Sequence, residues 1–535
     1  MIKKLALFLS FFICSLIALH AQPPVDTVQR IEIIEARKLQ FKKIDDNTEL
    51  RILAGGVRLR QGNTIFSCDS CVINESGNVF EAFGRVHIND SDTSHVYSNY
   101  LRYFTNTRMA FLRGNVRLTD GHATLTTNEL EYDVANSIGI YKNGGRVVNK
   151  KSVLTSREGI YYADLKDVYF KNKVELKDPA YYLKTDSLLY NTESQTARFI
   201  AETYIIDSTK RTIRTREGYY DVANRNAIFT SRTEIRDGKV YASGNEIASD
   251  DAQGIVQFRG QAVMIDTAQG ISVLADEIFI DRNKDAFLAT VKPLMIIKQE
   301  DDSIYVTADT LFSARLTDLY GTKDSLQRDT VRGKVKVNTK AATQSKDSTN
   351  RYFEAFRNVR VYSDSVQAVS DSLFYSFRDS TFQLYYDPVV WNNKHQMTGD
   401  TILLYTKNKK AERVKIMENS FLVSELEPGV YNQIKSTRMD GFFKEGSIDS
   451  VRARGSAESV YFIQDEDSAY SNVNQTTSDI IDIYFQNGEL NKVVLRSSVK
   501  GTLTPISQKS PSEARLQNFK WLHNRRPKTK YELFE

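Results

Sequence analysis

Apolar and charged residues alternate along most of the chain. Val57-Arg58-Leu59-Arg60, Val116-Arg117-Leu118 and Leu130-Glu131-Tyr132 each point apolar side chains one way and charged ones the other. A period of two is that of a β-strand with one buried face and one wet face. Turn residues separate such runs: Asp120-Gly121, Asp237-Gly238, Ser76-Gly77-Asn78 and Asn487-Gly488. No stretch beyond the first twenty or so residues sustains a helical period with caps. The predicted fold class is therefore all-β.

The alternation is itself periodic. The stretch Tyr132-Asp133-Val134-Ala135-Asn136 returns unchanged as Tyr220-Asp221-Val222-Ala223-Asn224. Between and around these copies runs an element ending in an aromatic: Leu101-Arg102-Tyr103, Leu130-Glu131-Tyr132, Gly159-Ile160-Tyr161, Leu188-Leu189-Tyr190, Gly218-Tyr219-Tyr220 and Leu373-Phe374-Tyr375. Weaker copies begin at Ile247, Ile278, Leu311 and Ile402. A second element, Gly/Asn-x-Val followed by alternation, lies between them, with valines at 57, 86, 116, 174 and 359. The period is about 30 residues, enough for two strands and two turns. A lone hairpin cannot bury its apolar face, but stacked hairpins can cover one another. The expected product is an elongated array of antiparallel β-hairpins. With strands about 4.8 Å apart, ten repeats of two strands would reach on the order of 100 Å. The tyrosines 103, 132, 161, 190 and 220 are expected to stack repeat on repeat.

Composition adds boundaries. Lys3 and Lys4 precede the apolar run Leu5 to Leu19, and small Ala21 precedes "QPPVDT". This reads as a cleavable secretory signal over 1–21, sending the chain to the periplasm with a possible outer-membrane association. A lead-in follows over 22–40, then one repeat block over 41–316. Residues 317–350 are polar and weakly patterned, so they are read as a linker or insertion, with a degenerate repeat as the alternative. A second block spans 351–504. Residues 505–535 form a basic tail, read as a solvated terminus or as a contact to an acidic partner. The net charge of +5 is small for 535 residues, and the body has no field suited to nucleic acid.

Candidate chemistry is sparse. No two of the six His have metal-ligand spacing. Neither a Gly-x-Ser-x-Gly elbow nor a phosphate-binding Gly-rich loop occurs. The many Asp recur with the repeat, in "TDSL", "ADTL" and "SDSL", which suits turn capping better than acid/base catalysis. The chain is expected not to be an enzyme, and no cofactor is implied. Cys68 and Cys71, spaced C-x-x-C on a strand, are either a local disulfide or two free thiols.

The stretches "FEAFGRVHI" (80–88), "MAFLRGNVRLTDGHATLTTNELEYD" (109–133) and "DPVVWNNKHQMTGDTILLY" (387–405) resemble the organic-solvent-tolerance-like (OstA) family. That family includes the periplasmic lipopolysaccharide-transport protein LptA and the N-terminal domain of LptD. The resemblance covers 40–315 and, more loosely, 351–460. It implies a half jelly roll, or β-taco, whose apolar inside shields lipopolysaccharide acyl chains. It implies as partners other Lpt-type modules, joined by end-strand pairing, and an outer-membrane translocon. The alternation offers Val57, Leu59, Val86, Ile88, Val116, Leu118, Val174, Leu176, Val359 and Val361 as groove-lining candidates. Two other readings fit alternating hairpins: an outer-membrane β-barrel, and an extracellular β-solenoid acting as an adhesin or on polysaccharide.

Overall fold

A computed structural model describes residues 30–534 apart from 47, 91, 93, 299–302, 321–349, 408–409, 466–468 and 488. The signal segment 1–21 and nearly all of 317–350 lie outside the described residues. The described chain is almost entirely antiparallel strand, as the alternation predicts. It divides into two compact units after Gln195.

In the first unit the strands Glu49–Gln61, Thr64–Asn74, Val79–Asp90, Ser94–Phe104, Met109–Thr119 and Thr124–Asp133 pair each with the next. Each pairing breaks register near its middle, as between Phe83 and Val86. The cause is the Gly/Asn-x-Val element. Gly84 and Arg85 have φ of 71° and 41°, Gly114 and Asn115 76° and 52°, and Asn172 and Lys173 62° and 56°. Two successive left-handed residues make a bulge that bends the strand. Gly84 is needed twice over, for its φ and because a Cβ would stand 2.5 Å from Asp69 Oδ2.

The bend folds each strand on itself. Phe66 pairs with Ile88, and Phe80 with Ile73. Seven residues separate 66 from 73, about 23 Å along a straight strand. Yet the Phe66 and Phe80 rings are 5.2 Å apart, and Tyr103 touches both. The two halves are thus two facing leaves with a common apolar interior. The two sequence elements are these leaves. Leu101, Tyr103, Leu130 and Tyr132 lie on the first, and Val57, Val86, Val116 and Leu118 on the second.

The recurring Asp and Ser/Thr build the corners. On alternate strands a buried hydroxyl donates to the carbonyl two residues on: Ser98 to Tyr100 O at 2.9 Å, Thr127 to Glu129 O at 3.2 Å, Ser370 to Ser372 O at 3.0 Å. An Asp at the corner donates its N–H to the facing bulge, as Asp371 does after Ser370 to Tyr386 O at 3.1 Å and Asp309 after Ala308 to Arg357 O at 3.0 Å. Its carboxylate accepts from the bulge Asn, Asn358 Nδ2 to Asp309 Oδ1 at 3.0 Å. Backbone groups left open by the bulge are thereby satisfied.

The lead-in contributes structure: Glu32–Glu35 and Lys38–Lys43 pair with Glu49–Gln61. In the second unit, Thr310–Arg315 pairs directly with Arg351–Tyr362.

The tail departs from the solvated-terminus expectation. It crosses the outer face of the second unit's second leaf, held by outward-facing glutamines on every second strand. Gln433 Nε2 donates to Ala514 O at 3.0 Å, and its Oε1 accepts from Leu516 N at 2.9 Å. Gln396 does the same with Lys520 O at 2.8 Å and Leu522 N at 2.7 Å. Gln367 Oε1 accepts from Arg526 Nε at 2.8 Å. Phe519 and Trp521 pack on Tyr431, each with ring centroids 5.2 Å away. The underlying strand Val389–Asn392 is consequently buried on both faces.

Candidate lipid-binding interior

Large rings pack the inside of the first unit. Tyr103, Tyr132, Tyr141, Tyr190, Phe80 and Phe170 are all fully buried there. Their hydroxyls also close the mouth between the leaves. Tyr103 Oη donates to Gln61 Oε1 at 2.5 Å, and Gln61 Nε2 to Thr105 O at 3.0 Å. Tyr132 Oη donates to Asp90 Oδ2 at 3.2 Å, and Tyr161 Oη to Asp120 Oδ2. Each rung joins the free end of one leaf to the free end of the other. Burial pushes the Tyr103 phenol up to about 12, and burial with the Asp120 carboxylate raises that of Tyr161 further. Burial alone would raise Asp120, but Tyr161, the Ala123 and His122 N–H groups and Lys166 hold it below the usual carboxylate range. Tyr103, Tyr132 and Tyr161 therefore both fill the interior and bolt its mouth.

The second unit is built differently inside. Two residues beyond Ile247, Ile278, Leu311 and Ile402, where the strong copies carry Tyr, stand Ser249, Ile280, Ser313 and Leu404. Space opens around Ile280 and Ser313, while Tyr220 and Tyr375 keep the ring elsewhere in the unit. A cavity of about 370 Å³ is lined by Val256, Phe258, Met264, Ile280, Phe287 and Ser313, with Arg211, Arg282 and Arg351 at its polar edge. A second, of about 260 Å³, is lined by Val361, Leu373, Phe382, Leu384 and Leu404. A third, of about 320 Å³, is lined by Leu422, Ile434, Phe485 and Leu495. They follow one another in strand-pairing order. In place of tyrosine rungs, one ion-pair latch crosses the mouth. Arg211 reaches Asp251 Oδ2 at 3.2 Å and Asp207 Oδ2 at 2.9 Å, and Arg282 reaches Asp251 Oδ1 at 2.5 Å.

The ten lining candidates all face inward from the second leaf and are buried. Val57, Leu59, Val86, Ile88, Val116, Leu118, Val174 and Leu176 sit in the filled first unit. Val359 and Val361 are in the second, and Val361 borders a cavity. The residues that line open space, such as Phe258 and Phe287, were not singled out by the sequence. The signal was present as the loss of Tyr from the comb.

Cys68 and Cys71 are buried free thiols flanking the corner of one strand. The hydrogen bond from Cys71 holds the Cys68 thiol low, while that same bond and burial push Cys71 up. Among the described residues no cluster of three or more His, Cys, Asp or Glu is arranged to hold a metal. No helix among them is long and apolar enough to cross a membrane.

Residues 28–186 match the family model described as OstA-like protein. That segment is OstA-like. It includes the bent strands, the Gly-x-Val corners and the first rungs of the tyrosine ladder. Among solved structures, the chain is similar to LptH, titled the LptA-homologous periplasmic component of the conserved lipopolysaccharide transport device from Pseudomonas aeruginosa. Identity is 19% over 22% of this chain and 84% of that one, with a TM-score of 0.19, too low to support an argument about function. No curated protein matches the chain.

Proposed function

We propose that the chain is a non-enzymatic periplasmic scaffold for lipopolysaccharide transport to, and assembly of, the outer membrane. It shields acyl chains between its leaves. Other Lpt-type β modules, joined by end-strand pairing, and an outer-membrane translocon are its proposed partners. The observation that carries this reading is the row of apolar cavities inside the second unit, next to an OstA-like first unit. Cavities of about 300 Å³ and more are of ligand size. Each methylene withdrawn from water gains about 0.8 kcal/mol, so an apolar seam suffices to hold acyl chains without specific polar contacts. Ser313 and Ile280 are the proposed selectors of this use, since a Tyr there would refill the space.

A lipid-facing barrel is disfavoured by the outer face of the first unit. It carries cross-strand ion pairs, Lys142–Glu131 at 2.8 Å and Arg113–Glu129 at 3.4 Å, where a barrel needs an apolar band. The test is extraction of lipid from protein purified without detergent. Lipopolysaccharide recovered with the wild type and lost from Ser313→Tyr/Ile280→Tyr supports the proposal. Protein free of lipid in both, despite lipopolysaccharide in the extract, sinks it.

A further inference from the structure

The strap formed by the tail leaves part of its apolar track uncovered. The outward row of the second leaf continues beyond Gln367 through Tyr362, Tyr305, Ile296, Ser272, Ile265 and Tyr241, each paired with the next across successive strands. All six are half-buried. The strap ends on this row in the short 3-10 turn Lys530–Phe534. Leu533 is buried there, and Arg360 NH1 donates to Glu532 O at 2.9 Å. Two aromatics of the turn face water instead: Tyr531 is 77% exposed and Phe534 49%.

The charge around them is mainly basic, with Glu532, Asp364 beside Tyr362 and Glu234 near Arg236 as the acidic neighbours. Lys530 Nζ lies 5.5 Å from the Tyr305 ring centroid and 5.4 Å from that of Tyr531. Arg236 lies over Tyr241 at 5.3 Å. Lys528 and Lys530 are exposed, and neither forms an ion pair among the described residues. Glu532 accepts from Lys528 N at 2.8 Å, so the one acidic side chain described within the turn is engaged by the backbone.

We infer that this outer face, from Tyr241 to the terminal turn, seats on an anionic bilayer surface. Tyrosines with unpaired lysines around half-exposed aliphatic side chains match the headgroup layer. There aromatic rings sit between acyl chains and water, and basic side chains meet phosphates. The same face has charge complementarity with no uncharged surface, which favours this occupant. The glutamine-held strap keeps the turn in place on the row. This docking uses the outside of the leaf, so it stands or falls separately from lipid held between the leaves.

The experiment is co-sedimentation of the full chain with vesicles of phosphatidylcholine alone or mixed with phosphatidylglycerol. Binding is expected only to the anionic vesicles and to weaken as salt rises. Lys528→Glu/Lys530→Glu should weaken it at least about 25-fold, taking about five-fold per basic residue removed from an anionic surface. Tyr531→Ser/Phe534→Ser should weaken it as well. Unchanged Trp521 fluorescence in each variant reports that the strap is still seated. No binding, equal binding to neutral vesicles, or binding indifferent to these substitutions overturns the inference. So does a concentration-dependent dimer that the same substitutions abolish, since the face would then join two copies of the chain.

Discussion

The first unit and the hollow part of the second share corners, leaves and period, and differ at one position of the repeat. In the first, Tyr103, Tyr132 and Tyr161 fill the interior and bond across its mouth. In the second, Ser249, Ile280, Ser313 and Leu404 take that place, and the interior holds cavities of about 370 Å³ and 260 Å³. At Tyr103, Tyr132 and Tyr161 one residue supplies both volume and bolt, and around Ile280 and Ser313 its absence leaves space, although Tyr220 and Tyr375 keep the ring elsewhere in the second unit. A filled unit suits stability and a hollow one suits a guest. Outside, charged pairs lie on both units, and the second also covers apolar strands with its own tail.

The largest effect should come from making the first unit resemble the second. Tyr132→Ser removes a fully buried ring and should cost about 3–5 kcal/mol, read by urea unfolding. Tyr161→Phe keeps the ring and leaves the buried Asp120 carboxylate short of one donor. It should cost about 1–3 kcal/mol in the same assay. The reverse exchange, Ser313→Tyr, should change stability by less than about 1.5 kcal/mol in either direction because space awaits the ring. It should nevertheless abolish lipid capture. If it destabilised the unit as much as Tyr132→Ser, the two interiors would not differ as described.

The smallest effect concerns the latch. Burial would raise Asp251, but Arg211 and Arg282 outweigh it and hold its carboxyl below the ordinary value. A carboxylate whose pKa is depressed on folding stabilises above its unfolded pKa and loses that contribution as pH falls through the folded one. The mouth should therefore be indifferent to pH between 7 and 5 and loosen only below about 4. Asp251→Asn should remove that acid-induced step, measured as uptake of a fluorescent fatty acid against pH.

Much of this was legible in the residues. The all-β class, the 30-residue period and the hairpins follow from alternation and turn chemistry. The structural use of "TDSL" and "SDSL" follows from where Asp and Ser are preferred. The Gly-x-Val element was visible but its effect was not. Two left-handed residues in succession are a matter of φ, and they convert one long strand into two facing leaves. The eight candidates from Val57 to Leu176 are buried. Alternation, however, reports which face is buried and says nothing of what fills the space opposite. The strap was missed because net charge suggested solvation. The uninterrupted apolar runs Val389-Val390-Trp391 and Phe421-Leu422-Val423 were the counter-signal, marking strands covered on both faces.

The most direct test compares the two interiors in one cell. A photo-reactive amino acid is placed at Phe287, beside the largest of the three cavities, and separately at Leu118, inside the filled unit. The account predicts lipopolysaccharide adducts from position 287 and only intramolecular products from position 118. Adducts from 118 with none from 287 would contradict it.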